Sequence, residues 1–268
     1  MRMKLAIVSD EISPEFLTAV ELGTDWGIQN FEIRGLPSGR MPYISERDKR
    51  EVFRTVKEYG IKISTLSPGA FKIPVDSPEV RSQIDEMLPR TYELAHELGA
   101  DLVIVFGFLM PEGEKEENYP QQVVDILGEV AEKAERENIR IALENEPSCW
   151  AGTGRTSARL VREVGQKNFG LNWDPCNSLN SGGKPYPEEY TDLKDLIFHL
   201  HIKDTKKGPE GSRTVAIGEG DVNWQGQLEA LYRNGYDGYY TVETHFGPRV
   251  KASRTCVENL KRLLLNVM

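Results

Sequence analysis

A single (β/α)8 TIM barrel is the α/β fold class this sequence predicts, and three observations carry the prediction. A short β-branched run followed by a longer amphipathic stretch recurs from end to end, eight times. The 268 residues match the usual length of such a barrel. The turn after the first strand candidate, VSDEISP, has no glycine, so the nucleotide fingerprint of the competing doubly wound open sheet is missing.

The first unit pairs KLAIVS (4–9) with a helix over 14–26. Ser13-Pro14 reads as its start, since proline is tolerated in a first turn, and Gly27 reads as its stop. NFEIR (30–34) precedes a helix over 45–59 that Gly60 ends, and IKISTL (61–66) precedes one over 78–98, from Ser77-Pro78 to Gly99. DLVIVF (101–106) is apolar throughout, as a strand covered on both faces must be, and is followed by 119–137. IRIALE (139–144), FGLNWD (169–174), IFHLHI (197–202) and YYTVE (239–243) lead into helices over 156–166, 187–194, 224–234 and 251–266. The long irregular stretches 107–118, 145–155, 175–186 and 204–223 all follow strands, which is the catalytic end of a barrel. With no linker or shift in composition, one domain over 1–268 is expected.

Hydrophobic residues make up 39% and charged residues 28%, enough for both a core and a solvated surface. The net charge of -9 argues against nucleic acid as a partner, because duplex binding needs clustered Lys and Arg. Cys149, Cys176 and Cys256 are odd in number and lack metal-binding spacing. No signal-like leader or membrane-length apolar run is visible. A soluble, reduced, cytoplasmic protein is the expectation, with homo-oligomerisation left open.

Alternate strand residues point into a barrel, and those at the carboxyl end reach the site. Four successive strands end in metal-capable side chains: Glu144, Asp174, His201 and Glu243. One such residue is usually a cap or loop anchor. Four on consecutive strands converge, and three carboxylates packed together repel without a cation. Three oxygen donors and one imidazole suit one divalent ion: Mn, Mg, Co or Zn. Glu146, also inward by parity, is second choice to Glu144. His199 shares the parity of His201 one layer deeper and reads as an interior hydrogen-bonding residue. Glu32 and Arg34 are expected to form a buried pair at the mouth. Lys203 and Asp204 read either as a rim ion pair or loop anchor, or with Lys203 on a substrate oxygen. Trp150 is a candidate pocket wall. Cys176 lacks a partner base and reads as a packed thiol.

These segments resemble the xylose isomerase-like TIM barrels, specifically the sugar phosphate isomerase/epimerase family with its ketose 3-epimerases and hydroxypyruvate isomerases. The resemblance spans essentially the whole chain and rests on SDEISP, FEIRGL, ALENEP, NWDPCN, HLHIKD, IGEGDVNW and TVETH. It implies that Glu144, Asp174, His201 and Glu243 bind the metal and that Glu144 and Glu243 also serve as acid/base groups. Arg213 resembles a position that reaches substrate. Many members carry a histidine where this chain has Asn177, and an amide cannot titrate near neutrality.

The expected activity is a metal-dependent isomerase or epimerase that moves a proton next to the carbonyl of an open-chain sugar or related hydroxy-carbonyl compound. The alternative is a dehydratase or lyase that loses a β-hydroxyl after the same first step. A non-catalytic sugar-binding barrel is disfavoured by the intact Glu144 and Glu243. An endonuclease IV-like nuclease is disfavoured by the total of four histidines. No glycine-rich phosphate cradle leads straight into a helix after strands seven and eight, which favours a non-phosphorylated sugar or keto acid.

Overall fold

The computed structural model describes residues 3–267. Eight parallel strands close into a barrel: β1 (Lys4–Val8), β2 (Asn30–Ile33), β3 (Lys62–Ala70), β4 (Leu102–Phe106), β5 (Arg140–Glu144), β6 (Phe169–Trp173), β7 (Ile197–Ile202) and β8 (Tyr239–Val242). Each pairs with its sequence neighbours, and β8 closes on β1 with Lys4 opposite Tyr239. Closure leaves no exposed strand edge and brings every strand's carboxyl end to one rim.

The helices form where apolar spacing and stop signals agree. Glu46–Tyr59 starts on Ser45, whose Oγ accepts from Asp48 N at 3.2 Å, and ends at Gly60, φ 62°. Gln121–Arg136 buries Val123, Leu127, Val130, Ala131 and Ala134, one stripe facing the barrel. Leu102, Ile104 and Ala142, with Phe198 against them, form a small apolar cluster separate from the main core. Ala142 lies two residues before Glu144 on β5 and so shares its face, which places this cluster beneath the site.

Three segments differ from expectation. The helix over 14–26 is two pieces, Ser9–Ile12 and Phe16–Asp25, because Ser13, which precedes a proline, is extended at φ -153°, ψ 143°. Pro14 therefore separates two helices instead of starting one. The stretch 175–186 opens with a helix, Pro175–Asn180, capped by the Asp174 side chain. The stretch 204–223 contains an antiparallel hairpin, Asp204–Gly208 with Gly211–Val215. A second short hairpin, Gly35–Leu36 with Gly39–Arg40, follows β2. Among the described residues, no helix is long and apolar enough to cross a membrane.

Candidate metal and proton-transfer site

Glu144, Asp174, His201 and Glu243 meet at the carboxyl rim, each offering a donor atom, all within 4.8 Å of one another. All four are buried, with Asp174 at 0% and His201 at 1% exposure. His201 Nδ1 lies 3.5 Å from Glu144 Oε1 and 3.6 Å from Glu243 Oε2. Its Nε2 lies 3.0 Å from Glu32 Oε2. Glu32 on Nε2 orients the ring so that Nδ1 faces Glu144 and Glu243, as in a metal-ligating imidazole; burial opposes the ring's charge, but Glu32, Glu144 and Glu243 raise His201 well above the usual histidine range. Asn172 Nδ2 also approaches Nδ1, at 3.1 Å.

Lys203 continues the inward parity of His199 and His201. Its Nζ sits 2.9 Å from Asp174 Oδ2 and 2.9 Å from Glu243 Oε2. Lys203 thereby bridges two of the three carboxylates. Burial opposes the lysine's charge, yet Asp174 and Glu243 outweigh it and raise Lys203 well above the usual lysine range. Burial pushes the Asp174 carboxyl up, and Lys203 offsets part of that. Three carboxylates and one imidazole within 4.8 Å of one another are a donor set that fits a divalent cation.

Glu32 pairs with both histidines, not with Arg34: Oε2 lies 3.1 Å from His199 Nε2 and 3.0 Å from His201 Nε2. Although burial opposes its charge, the two histidines lower Glu32 from 4.5 to about 2. Arg34 turns the other way. It donates to Asp10 Oδ2 at 3.1 Å, Glu11 Oε1 at 2.9 Å and Glu243 Oε1 at 3.0 Å. His245 Nε2 joins them, 3.0 Å from Glu243 Oε1 and 3.2 Å from Glu11 Oε1. Burial alone would raise Glu243, but Lys203, His201 and His245 hold it well below the usual carboxylate range. Asp10, Glu11, Arg34 and His245 were missed as a unit in the sequence, although SDEISP, FEIRGL and TVETH contain all four.

Asp204 does not pair with Lys203. Its carboxylate accepts from the backbone N–H of Thr205 (2.9 Å), Gly218 (2.9 Å), Gly220 (3.1 Å) and Val222 (3.2 Å). A Cβ on Gly220 would stand 2.1 Å from Asp204 Oδ1, so only glycine permits this approach. Trp224 Nε1 donates to Lys203 O at 3.0 Å. The IGEGDVNW segment thereby ties down the end of β7 that carries Lys203.

The other candidates have distinct surroundings. Asn177 is buried, its Nδ2 donating to Asn145 O at 2.8 Å and its backbone N to Asp174 Oδ1 at 2.9 Å. Trp150 is buried with Nε1 unpartnered. Arg213 is exposed on the 204–215 hairpin, beside a cavity shared with Phe246 and Lys251, and makes no hydrogen bond or ion pair with the four donors. Glu146 pairs with Lys72 at 3.3 Å and is not part of the donor group. Cys176 is a free, buried thiol that burial pushes far up. Phe71, Phe108 and His245 adopt φ of 66°, 61° and 55° just beyond β3, β4 and β8, so left-handed backbone gathers at this rim.

A closed parallel barrel with a buried acid–imidazole donor group at its carboxyl rim defines a class of metal-capable barrels. The chain belongs to the Xylose isomerase-like TIM barrel family, whose model matches residues 20–263. An inosose isomerase of Bacillus velezensis is 26% identical over 231 residues, covering 84% of this chain and 81% of that protein. A solved IOLI protein with a bound zinc atom matches with TM-score 0.78 at 22% identity, over 99% of this chain and 98% of that one. The probable 3-DHS dehydratase AsbF of Bacillus anthracis matches with TM-score 0.77 at 18% identity, over 97% and 99%. At those identities the two structures speak to the fold.

Proposed function

We propose that the protein is a divalent-metal-dependent isomerase or epimerase of a sugar or related hydroxy-carbonyl compound, acting by proton transfer through an enediolate. One observation carries this reading: four donors from successive strand ends lie within 4.8 Å, wrapped by residues that orient them. Glu144, Asp174, His201 and Glu243 would hold the ion. When bound, it supplies positive charge beside the substrate carbonyl and lowers the cost of the enediolate. The similarity to an inosose isomerase and the fold shared with a zinc-carrying protein support the choice of class and cofactor.

Glu243, kept ionised by its cationic neighbours, takes the proton from the carbon next to the carbonyl, and Glu144 returns one. Return at the same carbon from the opposite face gives epimerisation; return at the neighbouring carbon, with the hydroxyl proton passing to the former carbonyl oxygen, gives isomerisation. Lys203 donates to a substrate oxygen, Trp150 walls the pocket, and Glu32 keeps His201 in the tautomer that presents Nδ1. Asn177, its amide hydrogen engaged, offers substrate its carbonyl oxygen.

The test is deuterium incorporation from D2O by NMR, with protein loaded with Mg or Zn and a panel of ketoses, ketose phosphates and hydroxy-keto acids. Metal-dependent deuterium next to the carbonyl is expected, and the product tells epimerase from isomerase. A β-elimination product would move the protein to the dehydratases. Tight metal binding without exchange on any compound would refute proton transfer on these substrates, and failure to bind metal would refute the whole reading.

A further inference from the structure

We infer that Arg40 is a specificity-determining residue that receives an anionic group, carboxylate or phosphate, on the substrate. The inference rests on the proton-transfer reading and names the class of compound that site takes.

Arg40 closes the short hairpin after β2. Its Nε donates to Ser67 O at 3.2 Å, and one terminal nitrogen stands 3.5 Å from Ser67 Oγ. The guanidinium rests on β3 at Gly69, where a Cβ would stand 2.7 Å from Nε and 2.8 Å from Cζ. Gly69 has φ +80°, so backbone conformation and the close approach both call for glycine there. The fork is therefore seated with its plane fixed.

No carboxylate engages it. Among the described residues Arg40 has no ion-pair partner, whereas Arg34, nearby on the same rim, holds three acids. Ser67, which seats Arg40, lies two residues beyond Thr65, the partner of Glu32 across the β2–β3 ladder, so the seat is at the carboxyl rim on the sheet face that carries Glu32. The residue is exposed overall, so a ligand can reach it.

Anchoring the hairpin accounts for Nε but leaves most of the fork's N–H groups aimed at no acid. A planar guanidinium with free N–H pairs matches carboxylate or phosphate oxygens two at a time. A sugar hydroxyl can accept from the fork but leaves its charge unbalanced, whereas a carboxylate or phosphate balances it and is otherwise repelled by the three carboxylates of the donor group.

The experiment uses a matched series: a ketose, its terminal phosphate, and the acid of the same length with a terminal carboxylate. Wild-type kcat/KM, read by deuterium incorporation, should favour one anionic member over the neutral ketose roughly ten- to hundredfold, the worth of a charged hydrogen bond. Arg40→Gln should remove that preference mainly through KM, with metal affinity retained and the neutral ketose the least affected of the three. Arg40→Lys should recover more of a preference for phosphate than for carboxylate, which identifies the anion. Equal use of neutral and anionic members by wild type, or an equal loss on all three in Arg40→Gln, would overturn the inference. A readout free of turnover is the melting temperature of metal-free protein in inorganic phosphate and in malonate. Either anion should stabilise wild type more than Arg40→Gln, and identical shifts would overturn the inference. If anions act through Arg40 but nothing exchanges deuterium, the proton-transfer reading fails and the anion site stands.

Discussion

The two halves of the barrel rim do different work. Strands β5 to β8 end in the donor group: Glu144, Asp174, His201 with Lys203 just beyond, and Glu243. Strands β1 and β2 and the loops after them end in residues that hold those donors or face what enters: Asp10, Glu11, Glu32, Arg34 and Arg40. Four ion pairs join one half to the other: Glu32 with His199 and His201, Arg34 with Glu243, and Glu11 with His245. Glu32 reaches His201, and Arg34 reaches Glu243 over 209 residues of sequence. In the proposed reaction, one half offers the chemistry and the other fixes its geometry and charge.

The sharpest way to break this division is to disable the donor half. Glu243→Gln keeps shape and removes the charge, and metal-dependent deuterium exchange should fall about 10³-fold with the far-ultraviolet circular dichroism unchanged. Wild-type exchange in that variant would remove Glu243 from the chemistry.

Next comes the support for Glu243. Arg34→Met leaves Asp10, Glu11 and Glu243 facing one another without their shared cation. Urea unfolding should show a loss of about 3 kcal/mol, the scale of breaking a largely buried ion cluster. A variant as stable as wild type would show that His245 and Lys203 suffice.

Glu32 gives a smaller and different signature. Glu32→Gln should weaken Zn or Mn binding about 10- to 100-fold by calorimetry, since the partner that orients a ligating histidine is altered. It also carries a pH dependence. Burial opposes the charge, but both histidines draw the folded-state pKa from 4.5 to about 2. A depressed carboxyl contributes its stability fully above about pH 4.5 and loses it as pH falls toward about 2. The melting temperature of the metal-free wild type should therefore fall more steeply across that window than that of Glu32→Gln. Parallel curves would contradict the pairing.

The smallest effect belongs far from the rim. Lys133 joins Asp85 at 2.8 Å and Glu129 at 3.0 Å on exposed helix surface. Such pairs contribute little in high dielectric, so Lys133→Ala should match wild type in melting temperature and exchange rate. A large loss there would mean that rim and outer helices are coupled.

What could be read in advance follows from periodicity. Eight repeats of strand and helix, and glycines where helices stop, are local patterns that show in any window of the chain; Gly60 and Gly99 do take the left-handed caps. Side-chain parity likewise brought Glu144, Asp174, His201 and Glu243 to one rim, because in a closed parallel barrel every strand's last inward residue meets the others. Pro14 was misread because the same Ser-Pro signal opens a helix or separates two, and local sequence does not distinguish them.

Pairing was a different matter. Glu32 and Arg34 share parity two residues apart, and proximity along the chain suggested a partnership that neither makes. Lys203 and Asp204 are adjacent, yet one enters the carboxylate cluster and the other binds four backbone amides. Which acid meets which base depends on distances across the barrel, and those exist only once the strands have closed. Local periodicity was thus enough to specify the fold and the inward-facing residues. The partners, the buried lysine among the acids and an arginine with no ion-pair partner among the described residues came from barrel closure, because charges choose partners by distance through space.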